Sequence, residues 1–592
     1  MRAAVMPRPW GGAKPASPAY ILFLLWSVLT GFCLIVLLLD ARQPRGILFL
    51  DWFLIISVRQ RLLPLAALGL GGLAFAVAVQ KTGLARGAAA LPAKVTRHWR
   101  IMAWLTIGIG VAGALTTVWI LRAFPNSGDE YDYLFAAKTF VAGRLWNPVP
   151  PLPDLFAHFH ILSENGKWVA GYPPGWPLLL AIVIGLRLPP WLACPLAGGL
   201  LLFVVFKIGQ LRDGTLGGVL AVVLIAVSPF FLFNAGSYFD MVPAAGAGAL
   251  FCWAALKFLD RPGFANAISA GLALGALGLI RSQDVLLFAL PFAAQFLWRA
   301  RRHHYRLAPV IVLSGLPFLI ALLLYNSVVF GSPLPHANLE FPTVRFGLFP
   351  VDESGNHMTP LDELHFAVAR MVMLAEWTSP LLVLGYVPAF RFVAERRRLS
   401  FIDFVFPAYV LGFMLVPFGG GNQYGPRYDF EGFPFLVLTL VSALTPLLRD
   451  AERPRRQAFF ASLIMAHSAI CLAAVTVFAP FMRTVVDQRM DVYDQVDAAH
   501  LHNAVVILRS GTSPLRPMGP RDLTRNGIGV GGPVIYVRDI PGELEGLRRL
   551  FPGRCIYVYE RAPLSSRGNL HAAGPEVAGL PGPPTGACAR VR

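Results

Sequence analysis

Uninterrupted apolar runs constrain this chain more than any other feature. Residues 20–39, 62–80, 101–121, 307–330, 373–390, 402–418, 432–448 and 459–478 are strongly apolar, and further runs fill 176–298. About 18 such residues span a ~30 Å hydrocarbon core as a helix. Inside lipid, only a structure that bonds its own backbone is stable. Hydrophobic residues make up 56% of the 592 and charged residues 14%, whereas soluble chains carry roughly 25% charged residues. The sequence predicts an all-α polytopic membrane protein with about 13 transmembrane helices and excludes a string of soluble domains.

Charge then sets the sidedness. Lys and Arg outnumber Asp and Glu by 51 to 33, a formal +18, which in a soluble protein points towards nucleic acid. Here much of the excess falls in short loops between apolar runs, as the positive-inside rule requires, and nucleic acid is not expected as a partner. Segments 298–306, 391–398 and 449–456 carry four arginines each and are expected in the cytoplasm, with 207–212 and 257–261. Alternation places 122–175, 331–372, 419–431 and the chain from 481 onwards outside. Tyr238-Phe239-Asp240 and Arg281-Ser282-Gln283-Asp284 fall on the same outer side. The stretch 176–206, interrupted by Arg187-Leu188-Pro189-Pro190, reads as one net crossing with one piece interfacial or re-entrant. Residues 1–19 read as a disordered basic lead and 20–39 as a retained anchor. Residues 46–57, interrupted by Asp51, read as an interfacial helix.

Three regions follow: 1–95 with two membrane helices, 96–480 as the main membrane module with its first outer loop at 122–175, and 481–592 as an external tail. In the tail, 505–508, 534–537 and 555–559 read as short strands and 543–550 as a helix, predicting a small extracytoplasmic α/β domain. The last twenty-five or so residues, rich in Pro, Gly and Ala, read as disordered. Cys33, Cys194, Cys252 and Cys471 lie in apolar runs as small core residues. Cys555 and Cys588 lie in the tail without metal-ligand spacing, and they can pair in an oxidising compartment.

The chemistry concentrates in Ser127-Gly128-Asp129-Glu130-Tyr131-Asp132, directly after a membrane helix. A carboxylate at a membrane boundary loses hydration, and a neighbouring carboxylate acts in the same direction. Both raise its pKa and make it a better base near neutral pH. A plainer reading has Ser127 or Asp129 capping a helix over 130–141, with acids favourable in its first turn. The two readings are compatible. Asp132 reads as part of a solvated helix face, and the helix as short, amphipathic and able to lie on the membrane surface. His158 and His160 make poor joint metal ligands from one helix, and loop histidines usually face solvent. Tyr172-Pro173-Pro174-Gly175-Trp176-Pro177 ends the loop and starts the next helix.

The run Gly128 to Leu134 after a membrane helix, then Gly143-Arg144-Leu145 and Tyr172 to Leu178, resembles the GT-C class of integral-membrane glycosyltransferases. The likeness is to its bacterial branch, similar to protein mannosyltransferases and lipid A aminoarabinose transferase. Tyr238-Phe239-Asp240, Arg281 to Asp284, Tyr325-Asn326 with Gly331-Ser332-Pro333, and Gly425-Pro426-Arg427-Tyr428 add weaker matches. The resemblance covers roughly 101–478 and implies a GT-C-like fold. It further implies inverting transfer of a sugar from a polyprenyl-phosphate carrier to a lipid, glycan or protein acceptor on the outer face. Asp129 matches the family's general base, with Glu130 beside it. The leaving phosphate needs cationic partners, for which Arg427, Arg281 and Lys138 are candidates; plain interfacial anchoring is the bland alternative for each. Asp240 and Asp284 orient these cations or bind sugar hydroxyls, and Tyr172 is a further substrate-binding candidate. No cofactor is expected. A divalent metal stays open, since mannosyltransferase-like relatives work without one and oligosaccharyltransferase relatives use one. An O-antigen-type ligase or polymerase is the alternative enzyme, relying on external arginines and a histidine. A lipid or glycan flippase is the alternative from another class, and charges buried mid-span would favour it.

Overall fold

The structure is a computed structural model that describes residues 58–82, 84–334, 343–352, 355–418, 420, 424–509, 520–540, 542–562 and 565–573. The anchor expected at 20–39, the interfacial helix at 46–57, Cys33 and Cys588 lie outside the described residues.

The first helices are α1 (Val58–Lys81), α2 (Leu84–Arg97), α3 (Trp99–Ile120) and α4 (Gly128–Val141), followed by α5 (Gly175–Gly185) and α6 (Ala193–Ala226). Next come α7 (Pro229–Ala235), α8 (Met241–Asp260), α9 (Phe264–Ile280), α10 (Asp284–Arg299) and α11 (Arg302–Phe330). The bundle ends with α12 (Pro360–Trp377), α13 (Pro380–Glu395), α14 (Val405–Gly412), α15 (Phe433–Leu448) and α16 (Pro454–Ala498). Among the described residues, six helices are long and apolar enough to cross a membrane. A seventh is gained if α12 and α13, bent by 118°, count as one span. The sequence reading of about 13 is not reached. The apolar stretches at Gly175–Gly185, Phe264–Ile280, Phe401–Leu415 and Phe433–Leu448 form shorter helices. Apolar composition fixes burial, while prolines and caps fix length. The span expected at 373–390 is interrupted where Ser379 accepts from the Leu381 N–H and Pro380 starts a new helix.

Helix α6 is two antiparallel arms. Gly214, at φ 74, turns the chain back, so that a Cβ on Gly209 would lie 2.9 Å from the Gly218 Cα, and one on Gly218 would lie 2.7 Å from the Phe206 carbonyl oxygen. Only glycine admits that approach. The turn brings Arg212 and Asp213 to the basic segments. Arg212 donates to both oxygens of Asp403 (2.9 and 3.0 Å), and Arg398 reaches Asp213 at 2.9 Å. The residues expected on one side do lie at one end of the bundle. Asp403 is fully buried and also accepts from Thr439. Asp403→Ala is expected to cost about 3–5 kcal/mol by stranding a buried guanidinium, read as a thermal shift of the purified protein.

The tail follows the sequence reading closely. The strands are β4 (Ala504–Arg509), β5 (Val534–Arg538), β6 (Cys555–Glu560) and β7 (Asn569–Ala572), in the order β5-β4-β6-β7. The first three are parallel and β7 is antiparallel. Two short helices, α17 (Pro520–Leu523) and α18 (Leu544–Leu550), complete it. Strand β7 occupies residues that read as disordered; its backbone pairs with β6. Helix α16 runs unbroken through residue 480, where a domain boundary was expected. In the first outer loop, β1 (Asn147–Pro148), β2 (Ile161–Glu164) and β3 (Lys167–Ala170) make a small antiparallel sheet. Cys194, Cys252 and Cys471 are free and buried, and Cys555 is disulfide-bonded.

Candidate active site

Helix α4 does not lie on a surface. Tyr133, Leu134 and Ala137 belong to the core of the bundle, while Tyr131 and Phe135 belong to a second core with Trp168, Val505, Ile535 and Val558. The helix is wedged between bundle and tail. For the same reason Asp132, expected on a solvated face, is fully buried.

The start of α4 is built as a cap. Ser127 Oγ accepts from the Glu130 N–H at 3.1 Å, and Glu130 Oε2 accepts from the Asn126 N–H at 2.9 Å. This satisfies donors that a helix N-terminus leaves unpaired. Gly128 is required here because a Cβ would come within 2.9 Å of Phe159. The cap leaves Asp129 at the second helical position, 7% exposed. Three groups converge on it. Arg427 Nη1 donates to Oδ2 at 2.7 Å, His160 Nε2 lies 3.0 Å from Oδ1, and the Tyr172 hydroxyl donates to the same oxygen.

This arrangement reverses the expected electrostatics. Burial alone would raise the Asp129 carboxyl, but the Arg427 guanidinium, then His160 and Tyr172, hold it well below the usual range. Glu130 moves the other way, since burial pushes it up to about 7. A carboxyl raised from 4.5 contributes stability that is fully present below that pH and lost as pH rises through about 7. Glu130→Gln keeps the acceptor for Asn126 and removes the titration. Its melting temperature is therefore expected to fall less than that of wild type between about pH 5 and pH 8, measured in matched buffers.

The other named residues divide into groups. Arg281 is enclosed by three carboxylates, with Asp240 at 3.0 Å, Asp284 at 3.2 Å and Glu431 at 3.1 Å. Arg370 and Asp429, both fully buried, pair at 3.2 Å. Tyr428 feels the charges of Arg427, Arg281, Asp129 and Arg370, so these pairs share one end of the bundle. Lys138 is exposed on α4, a little over two turns beyond Asp129. Arg427 stacks on Phe239, 4.8 Å from the ring centre, and its buried Nε has no hydrogen-bond partner among the described residues. Among the described residues Arg427 thus meets one carboxylate, that of Asp129, whereas Arg281 meets three.

His160, missing from the sequence candidates, sits at φ 63 between β-bridged residues, a backbone conformation that sequence did not signal. His158 is fully buried, and burial pushes it down to about 3, so its ring is neutral. Among the described residues no group of three or more His, Cys, Asp or Glu is placed to hold a metal ion. Where three carboxylates do converge, the Arg281 guanidinium takes the place of a cation, and both oxygens of Asp129 face protein donors. These residues do not fit a metal. An apolar cavity lined by Leu381, Leu440, Leu444, Phe460 and His467 takes in none of them.

No family model matches the chain, and no curated protein matches it. Similar solved structures include ArnT from Cupriavidus metallidurans bound to undecaprenyl phosphate, at 12% identity and a TM-score of 0.49, over 81% of this chain and 99% of that one. The Archaeoglobus fulgidus oligosaccharyltransferase in complex with Zn and sulfate follows at 13% identity and 0.44, over 69% and 60%. The arabinofuranosyltransferase AftD from Mycobacteria is similar at 17% identity and 0.40, over 78% and 36%. Likeness this slight transfers neither site nor activity. The similar solved structures are GT-C glycosyltransferases, the class that the first outer loop resembles.

Proposed function

We propose that this protein transfers a sugar from a polyprenyl-phosphate donor to an acceptor hydroxyl at the outer face of a bacterial inner membrane, with inversion. The observation that carries the reading is the Asp129–Arg427 pair, a buried carboxylate against a guanidinium whose Nε has no partner among the described residues. Asp129 takes the proton of the acceptor hydroxyl as that oxygen forms its bond to the anomeric carbon. The bond from that carbon to the phosphate oxygen breaks, its electrons leave on the phosphate, and Arg427 meets the developing charge. Tyr172 and His160 aim the carboxylate. Arg281 holds Asp240, Asp284 and Glu431 together behind it, and Lys138 is left as an outer cation for the phosphate. No metal takes part in this scheme.

The nearness of His160 also suits the ligase reading, which relies on an arginine and a histidine. The two separate by donor. Purified protein is given labelled polyprenyl-phosphate monosaccharides or labelled lipid-linked oligosaccharides, with membrane extract as acceptor. The proposal expects transfer from the first set and its loss in Asp129→Asn. Transfer from the second set alone favours the ligase, and equal transfer by the variant removes Asp129 as the base.

A further inference from the structure

The start of α4 is held from outside the membrane bundle. Of three successive carbonyls before the helix, that of Ser127 accepts the first helical bond, from the Tyr131 N–H at 3.2 Å, whereas the helix does not satisfy those of Pro125 and Asn126. Two arginines far along the chain do. Arg489, on the outer extension of α16, donates through Nη1 to the Asn126 carbonyl and, at 2.9 Å, to its side-chain oxygen. Arg525, in the tail, donates to the Pro125 carbonyl and, at 3.4 Å, to that of Ser127. Asp522 joins the two, 2.7 Å from Arg489 Nε and 3.5 Å from Arg525 Nη2. Arg489, Asp522 and Arg525 are 2%, 4% and 9% exposed.

The Arg525 guanidinium also lies over the rings of Phe124 and Tyr131, at 4.6 and 5.4 Å, bracketing the loop on both sides. The Tyr131 hydroxyl donates to the Asn526 carbonyl, and Asn526 is fixed to β5 by two hydrogen bonds with Tyr536, of 2.7 and 2.9 Å. At the other end of the loop, Arg122 and Ala123 adopt φ 57 and 50, a backbone state that costs ordinary residues free energy and persists only when surroundings enforce it. Arg122 is held there by two carboxylates of α16, Asp494 at 2.7 and 2.8 Å and Asp487 at 3.1 Å.

We propose that Arg489, Asp522 and Arg525 are positioning residues that hold the loop before α4, so that Asp129 meets Arg427 only while the tail is docked. As a statement about catalysis this rests on the proposed sugar transfer. As a statement about the loop it does not. A guanidinium supplies planar, charged donors to two carbonyls at once, which a neutral side chain cannot do. A shift of about 1 Å at Asp129 is enough to cost roughly 10²-fold in turnover.

The test compares the full-length wild type with Arg489→Met/Arg525→Met by hydrogen–deuterium exchange and by steady-state kinetics. Expected are faster exchange over 123–132 with β4 and β6 unchanged, and a kcat about 10²-fold lower with the donor KM held within about twofold. Arg489→Lys/Arg525→Lys, which retains one charged donor at each place, is expected to recover part of kcat. Unchanged exchange over 123–132 overturns the proposal, as does a rise as large in β4 and β6 as in the loop. If the double variant does not fold, Asp522→Asn is expected to give the same pattern at smaller amplitude, and unchanged loop exchange there overturns it equally. A wild type that transfers no sugar sinks the function and leaves exchange to decide the clamp.

Discussion

Asp129→Asn is expected to lower turnover by about 10²- to 10⁴-fold, the range that a positioned general base supplies. Asparagine keeps the size of the side chain and one oxygen acceptor for Arg427, its amide N–H can donate to the Tyr172 hydroxyl in the other oxygen's place, and proton acceptance is lost. The variant should therefore bind donor almost normally, and the loss should fall on kcat rather than KM. The comparison with Glu130→Gln matters most. Glu130 is the carboxyl whose burial brings it up to about 7, which by acidity alone makes it the better-tuned base. Yet it is fully buried, with one oxygen on the Asn126 N–H, and reaches substrate less readily than Asp129. If Glu130→Gln removes transfer and Asp129→Asn does not, the two residues exchange roles. Rates are taken with saturating labelled donor after each variant has been shown to melt cooperatively.

Arg427→Gln is expected to lower turnover by about 10²- to 10³-fold, the usual loss for one donor at a developing oxyanion. It should also displace the acid limb of the pH profile. The sign follows from the pair. Arg427 and His160 hold the Asp129 carboxyl low, so removing the guanidinium lets burial raise it. The acid limb of kcat/KM then moves to higher pH, since more of the carboxyl is protonated at any given pH below neutrality. Arg427→Lys restores a point charge without the planar fork and should return part of the displacement. A pH profile that keeps its position in Arg427→Gln would separate Arg427 from the protonation of Asp129. The two losses should not add in the double variant, because one partner acts through the other.

The cap expected at Ser127 or Asp129 is made by Ser127, and the structure sets the two acids of the pair in different surroundings. Glu130 joins that cap and Asp129 faces the arginine, a division invisible in a sequence where they are neighbours. Arg427 and Tyr172 were legible because each sits in a Pro- and Gly-marked turn beside an apolar run. Arg281 was legible as a cation near a helix end, with Asp240 and Asp284 at its level, but not Glu431, which comes from 150 positions further along the chain. His160 was set aside because a loop histidine ordinarily faces water. Here the β-bridged loop turns it inward onto Asp129.

By itself, the sequence determined what depends on short-range pattern. The length of the apolar runs called for membrane helices, short β-branched and aromatic runs located β4, β5 and β6 to within a residue or two, and the basic segments met at one end of the bundle. Only the tertiary structure decided what depends on distance along the chain. It set how many apolar runs stay long enough to cross, the reversal at Gly214, the burial of Asp132, and which carboxyl of the pair is held ionised. Burial and Coulomb interactions act through space and fall steeply with separation. The state of Asp129 is thus set by Arg427, 298 residues away, and not by Glu130 beside it.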